Sequence, residues 1–428
     1  MSKPETFTAP EIFPPFLQGE AFTGPLVWWN HSMTAGGVER QIYATAASLG
    51  ASDGIDLELL LEDRSGEGEN IFMDRVRPLF GRVSTVFEAA GAIRARSPEC
   101  LRAVEEYFGG FSPFRKQLIA MYAAWFLEAR PRLVQIWNAE LFQVALAALL
   151  AGVPNIILCC ACMSPGYNAA RGLAGGNRNV YRDVLKFLLN FPAVTLTGIS
   201  SANRQDHAEW LGLEQHSILY TPHAFVPELW EADAARGQSL RAESGIPEQA
   251  PVLGGMFRFA KVKDPLLWVE TALAVLAAKP EAYAILAGDG DLHEDARRRV
   301  ESSPQAGRFL LPGTLKEAGS LYRACDVFLH TSHSEGLGNV IMEAQYHRLP
   351  VVCTDCGGPA DVIEDKKSGF IVTGREAREL AAHVLYALEH KDWAARAGEL
   401  GRQKVLRNFS ARRAALGFKK LYTLRGCL

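Results

Sequence analysis

The sequence predicts an α/β protein made of two doubly wound halves, each a parallel sheet covered on both faces. Three observations lead there. Strand-like apolar runs alternate with runs of helical period along nearly the whole chain. The pattern lapses over 223–250, HAFVPELWEADAARGQSLRAESGIPEQA, and then restarts. With 428 residues the chain is too long for one core of ordinary size. The boundary falls near 225, giving a first domain over 1–224 and a second over 225–409. Ligands of open parallel sheets sit beyond the carboxyl ends of the strands, so two such edges facing each other would form a cleft.

In the first half, PLVWWNH (25–31) reads as a strand, TAGGVERQ (34–41) as a glycine turn and QIYATAASLG (41–50) as a helix. DLELLLED (56–63) is the next strand. Residues 84–130 read as helical, with breaks near Gly109-Gly110 and Pro113. RLVQIWN (132–138), NIILCCAC (155–162), VTLTGIS (194–200) and SILYTP (217–222) are strands, and ELFQVALAALLAG (140–152) is a helix. The second half runs strand PVLGGMFRF (251–259), helix DPLLWVETALAVLAAKP (264–280), strands AYAILAGDG (282–290) and RFLLPG (308–313), a helix through LYRAC (321–325), and strand DVFLHTS (326–332). A helix, NVIMEAQYH (339–347), and a last strand-and-turn, LPVVCTDCGGPADVI (349–363), follow.

Composition narrows the function. The chain is 48% hydrophobic and 22% charged with a formal net charge of −3, which suits a soluble globular protein and gives no reason to expect nucleic acid. The start, MSKPETFTAPEIFPPF, lacks the basic and apolar regions of a signal peptide. The uncharged stretch 141–160 is split by Gly152-Val153-Pro154 and reads as a buried helix, a turn and a buried strand, not a membrane span. The eight cysteines lack paired zinc spacing and read as free thiols in a reducing cytosol.

The chemistry concentrates in EGLGNVIME (335–343): a Glu, a glycine-rich turn, a helix start and a second Glu eight positions on. A strand, glycine turn and helix N-terminus make an anion-binding corner, because free backbone N–H groups and the positive helix end face one point. Carboxylates at either end can accept from hydroxyls, so the corner fits a ligand that is sugar and phosphate together. Arg258 and Lys263, five residues apart at another strand exit, suit a diphosphate whose charge grows as it leaves. Cys356-Gly357-Gly358-Pro359 is a turn where backbone can approach a ligand. Asp289-x-Asp291 resembles a metal-binding pair, but its flanking glycines read as a strand-ending turn.

Glu335-x7-Glu343 with Arg258 and Lys263 upstream resembles the retaining glycosyltransferases of family 4, of the GT-B fold. The resemblance extends to GGVER (36–40), SSANRQDHAEWLG (200–212), AGDGDL (287–292) and VVCTDCGGPADVI, and so spans the chain from about residue 25 to its end. It implies two Rossmann-like domains facing across a cleft. NFSARRAALGFKKLY (408–422) is similar to the closing helix that returns to the first domain, placing about 410–428 there. By that resemblance Arg258 and Lys263 grip the diphosphate. Glu335 contacts donor-sugar hydroxyls, and Glu343 holds the ribose. Gly336, Leu337, Gly338 and Asn339 line sugar and phosphate. Gly36 and Gly37 close over the phosphate and acceptor side. The base lies near Leu311, Pro312 and Gly313.

The resemblance implies a nucleotide-sugar donor, UDP in preference to GDP, and no bound cofactor or essential metal. The acceptor is a glycan or lipid-linked glycan hydroxyl, docking on 84–130 and the Arg171/Arg178 loop. The protein is expected in the cytoplasm. Peripheral contact with the inner membrane face rests on a local basic patch of Arg94, Arg96, Arg102, Arg115 and Lys116. The chain departs from the pattern in two places. A histidine common in the family after the strand here reading NIILCCACMSPG is absent, and His223-Ala224-Phe225 replaces Asn-Gly-x-Asp at the junction. His31 or His223 are the substitutes to consider, although an ordinary structural histidine is the plainer reading of each; His330 and His333 flank the corner. The alternatives are a nucleotide-sugar epimerase or isomerase on the same scaffold and a non-catalytic donor-binding relative. A dinucleotide dehydrogenase lacks its G-x-G-x-x-G after a strand.

Overall fold

The computed structural model describes residues 7–9, 22–33, 36–49, 55–62, 73–86, 90–138, 142–173, 178–221, 223–227, 234–315 and 317–428. The chain divides into two compact units. One comprises Met1–Gly166, Gly175–Ala224 and Ala411–Leu428, the other Tyr167–Ala174 and Phe225–Ser410.

The first unit is built on a parallel sheet in the order β3-β2-β1-β4-β5-β6-β7. Its strands are β1 Gly24–Asn30, β2 Leu57–Leu61, β3 Arg82–Thr85, β4 Pro131–Ile136, β5 Ile156–Cys160, β6 Val194–Gly198 and β7 Leu219–Tyr220. A sheet covered on both faces needs apolar residues at every position, and β1 has them: Leu26, Val27, Trp28 and Trp29 are all fully buried. Val27 and Trp29 enter one core, with the helices Pro113–Ala129 and Phe142–Ala151. Leu26 and Trp28 enter the other, which the C-terminal helix Ala411–Leu424 completes with Phe418, Leu421 and Tyr422. Trp28 Nε1 donates to the Tyr422 hydroxyl at 3.0 Å, which donates in turn to Gln135 Oε1 at 2.5 Å. The helical reading of 84–130 is corrected at its start. Residues 82–85 form β3, a strand too short to show a period, and the helices are Ala90–Phe108 and Pro113–Ala129.

The second unit has the parallel order β10-β9-β8-β11-β12-β13. Its strands are β8 Val252–Met256, β9 Tyr283–Ala287, β10 Phe309–Leu310, β11 Val327–His330, β12 Val351–Thr354 and β13 Gly369–Val372. Strand β13 and the helices Ala377–Glu389 and Lys391–Asn408 fall between 363 and 408, where no element was read from the sequence. In β8 the glycines serve packing, since a Cβ on Gly255 would stand 2.4 Å from Trp268 Nε1. That indole is fully buried and donates to the Leu329 carbonyl at 2.9 Å, tying the helix Pro265–Ala278 to β11. The strand order reverses between β8 and β11, which are neighbours in the sheet. Loops leaving their carboxyl ends diverge to opposite faces there and open a crevice.

Candidate active site

From β8 the chain enters a short 3-10 turn, Lys261–Lys263, which ends on Asp264 at φ 50°. A non-glycine residue in the left-handed region needs support, and Asp264 has it on both carboxylate oxygens. Oδ1 accepts from Leu267 N at 3.2 Å and caps the helix Pro265–Ala278. Oδ2 accepts from Arg375 Nη2 at 2.7 Å and lies 3.2 Å from His333 Nε2. Burial acts to raise the Asp264 carboxyl, but the hydrogen bonds from His333 and Arg375 outweigh it and hold the group below its ordinary value.

The segment leaving β11 clamps the same turn. Thr331 Oγ1 donates to the carbonyls of Lys263 and Asp264 at 3.1 and 3.0 Å, and Ser332 Oγ donates to the Val262 carbonyl at 2.9 Å. His333 N donates to that carbonyl as well, at 2.7 Å. The clamp fixes where Lys263 points. Its Nζ lies 2.5 Å from Glu335 Oε1, and His330 Nε2 lies 2.7 Å from the same oxygen. His330 is fully buried at the end of an apolar strand, and its Nδ1 has no hydrogen-bond partner. Burial acts to raise the Glu335 carboxyl; the Lys263 charge and the His330 contact outweigh it and hold it well below the usual carboxylate range.

Glu335 is set by backbone as well. Its N–H donates to the Cys356 carbonyl at 2.8 Å, and Gly358 N donates to its carbonyl at 2.9 Å. A Cβ on Gly358 would stand 2.2 Å from the Gly336 carbonyl oxygen, so the two turns touch through backbone alone. Gly336, Leu337 and Gly338 are buried. Gly338 at φ 93° opens the helix Asn339–Tyr346 without a side-chain cap, leaving that helix end to its backbone. Glu343 lies on this helix, only 2% exposed, and accepts from the Tyr322 hydroxyl at 2.6 Å.

The structure thus brings Lys263, Glu335 and His330 together and sets Gly336, Leu337, Gly338, Asn339 and Glu343 in and just after the same turn. Arg258 is exposed and makes no side-chain hydrogen bond or ion pair among the described residues. Gly313 follows β10 at φ 71°, and its carbonyl accepts from Gly288 N at 2.8 Å. Asp289 lies in a glycine turn, with Oδ1 accepting from Gly290 N at 2.7 Å. Gly36 and Gly37 belong to the first unit, at the start of the helix Gly37–Leu49, where the Glu39 side chain folds over Gly36. His31 is 55% exposed, with Nδ1 3.5 Å from Glu62 Oε1, and His223 is buried. All eight cysteines are free.

In the basic patch Lys116 pairs with Glu105 and Arg115 lies over the Phe142 ring. The side chains of Arg94, Arg96 and Arg178 lie outside the described residues, as do Thr34 and Ala35 of the glycine turn. Among the described residues no helix is long and apolar enough to cross a membrane. Three supporting residues escaped the sequence reading: Tyr322, Asp264 and Arg375. Only Asp264 left a local signal, an acid directly before Pro265 at a helix start.

Residues 238–404 match the family described as glycosyl transferases group 1. The match is to a part of the second unit, and it is a similarity of that segment to the family. The matched range contains Arg258, Lys263, Gly313 and the 335–343 turn. Over 283 residues the chain is 29% identical to the Vi polysaccharide biosynthesis protein VipC/TviE of Salmonella typhi, covering 62% of this chain and 46% of that protein. Over 175 residues it is 30% identical to a GDP-mannose-dependent alpha-mannosyltransferase of Mycobacterium tuberculosis, covering 40% and 44%. The chain spans about half the length of these curated relatives. Among solved structures, HepE of Anabaena in complex with UDP and glucose aligns with a TM-score of 0.71 at 18% identity, over 94% of this chain and 99% of that one. The fold is therefore GT-B.

Proposed function

We propose that this chain is a retaining glycosyltransferase of the family 4 type that moves a sugar from a nucleotide-sugar to a hydroxyl of a glycan or lipid-linked glycan in polysaccharide biosynthesis. The observation that carries the reading is the Lys263–Glu335 pair at the turn entering the helix Asn339–Tyr346, within the segment that matches group 1.

Breaking the bond between the sugar C1 and the phosphate oxygen puts negative charge on the diphosphate. Lys263, Arg258 and the uncapped helix end supply positive charge where it develops, and stabilise the transition state more than the bound donor. Lys263 already serves Glu335, but an ammonium has three donors and can hold a carboxylate and a phosphate together. Glu335 accepts from hydroxyls of the donor sugar, and Glu343 binds the ribose. The reaction needs no carboxylate nucleophile. The leaving phosphate takes the acceptor's proton on the face from which it departs, which gives retention. The cations already present neutralise the diphosphate, so turnover in a chelator is expected to match turnover without one.

The donor is a UDP-sugar in preference to a GDP-sugar. A UDP complex of the structurally similar HepE favours this, while the mannosyltransferase relative keeps GDP as the competitor. The reading has the protein in the cytoplasm, with peripheral contact at the inner membrane face. The test is a thermal-shift panel of UDP- and GDP-sugars, followed by transfer from the best binder to glycan and lipid-linked acceptors and NMR of the product's anomeric configuration. A raised melting point and a retained anomer support the reading. No response to any nucleotide-sugar overturns it, and turnover of donor alone to an isomer favours the epimerase.

A further inference from the structure

Strand β11 reads VFLH, and every residue in it is fully buried. A leucine would satisfy the last position. A histidine there has one nitrogen, Nδ1, buried without a partner, while the other makes one polar contact, to Glu335 Oε1 at 2.7 Å. Native interiors rarely leave a buried polar atom unpaired, so the residue is kept for what Nε2 does. The Phe257 ring packs edge-on against the imidazole with centroids 5.7 Å apart, limiting its freedom to turn. Nδ1 has no partner to hold a proton, and Nε2 faces a carboxylate that stays charged. Nε2 is therefore the nitrogen placed to donate to the carboxylate.

The consequence lies on Glu335. One of its oxygens, Oε1, takes both Lys263 Nζ and His330 Nε2. The other, Oε2, accepts no hydrogen bond among the described residues. Two donors on one oxygen fix the carboxylate plane and present a single acceptor.

We propose that His330 is a positioning residue that pins Glu335 so that Oε2 alone meets a hydroxyl of the donor sugar. This rests on the donor site proposed above and adds to it the origin of the sugar contact. Lys263 by itself would leave the carboxylate free to rotate about the ion pair and exchange its oxygens, since an ammonium has no preferred plane.

The inference separates sugar from nucleotide. Binding of UDP and of UDP-glucose, with GDP and GDP-mannose as the second pair, is measured by calorimetry on the full chain and on His330→Leu, His330→Asn and His330→Gln. Wild type is expected to bind the sugar nucleotide more tightly than its nucleotide. His330→Leu should keep nucleotide affinity and lose most of that increment, with about a tenfold weaker sugar contact. His330→Asn, whose amide falls short of Oε1, should behave alike and stands in if the leucine variant does not fold. His330→Gln, whose amide reaches the Nε2 position, should restore the increment. Retained nucleotide affinity reports an intact fold, which a merely structural role would not spare selectively. If His330→Leu or His330→Asn keeps the wild-type increment, the positioning role is wrong. If wild type binds no nucleotide at all, the donor site itself is wrong and this inference goes with it.

Discussion

Glu335 Oε1 and Lys263 Nζ meet at 2.5 Å although 72 positions separate the residues along the chain. The pair is held by the exits of β8 and β11, neighbours in the sheet, and two predictions follow from what it does to charge and catalysis.

Lys263→Ala is expected to lower turnover by about two orders of magnitude, the loss seen when one stabiliser of developing charge is removed. It also changes acid stability. Glu335 has a depressed folded-state value, so the folded protein binds fewer protons there than the unfolded chain. Its contribution is complete above the unfolded carboxylate value of about 4.3 and is lost as pH falls below it towards the folded value. Without Lys263 the depression shrinks. Melting curves from about pH 5 to about pH 3 should show a smaller fall for Lys263→Ala than for wild type. Equal falls would mean that Lys263 does not set the charge of Glu335.

Tyr322→Phe removes a hydrogen bond to a buried carboxylate, Glu343 Oε2. The expected cost is about 1–3 kcal/mol by chemical denaturation. If Glu343 binds the ribose, nucleotide affinity falls too, by about threefold or more. Lower stability with unchanged nucleotide affinity would make Tyr322 a core residue and nothing else.

Gly358→Ala puts a methyl group 2.2 Å from the Gly336 carbonyl, backbone that cannot swing aside. The two turns must separate, at a cost of about 1–3 kcal/mol and with loss of donor binding. Gly307→Ala, where an added Cβ meets nothing within 4 Å, is the matched control and should leave both unchanged. Calorimetric melting and nucleotide titration of the two variants decide it.

Tyr422→Phe leaves Trp28 Nε1 without its acceptor and removes the donor to Gln135 Oε1, in the core that the C-terminal helix closes. About 2–4 kcal/mol of stability should be lost, with nucleotide affinity kept. A loss of affinity without a change in stability would contradict the division of labour between the units.

Much of this was legible in the residues. Continuous apolar runs such as LVWW and VFL announce buried parallel strands, and EGLGNVIME announces the corner. What escaped was either too short or too distant. RVST in β3 has no room for a period. Tyr322 and Arg375 reach their carboxylates from 21 and 111 positions away, and nothing local marks such a pair. His330 was visible as a flank of the corner. Nothing local shows that its Nε2 meets Glu335. Lys263 and Glu335 were legible as charges, but their meeting depends on Thr331 and Ser332 bonding the backbone of the 262–264 turn.

Apart from the short excursion over Tyr167–Ala174, the chain leaves its first unit near residue 225 and re-enters it at 411, with Phe225 N donating to the Phe409 carbonyl at 2.7 Å where the outgoing and returning segments meet. Fragment boundaries must respect that return. A clone ending at 410 would strip Phe418 and Tyr422 from Trp28 and Trp137 and set an apolar aromatic patch in water, a recipe for precipitation. To express that half alone, residues 411–428 should be spliced on after 224 by a short linker.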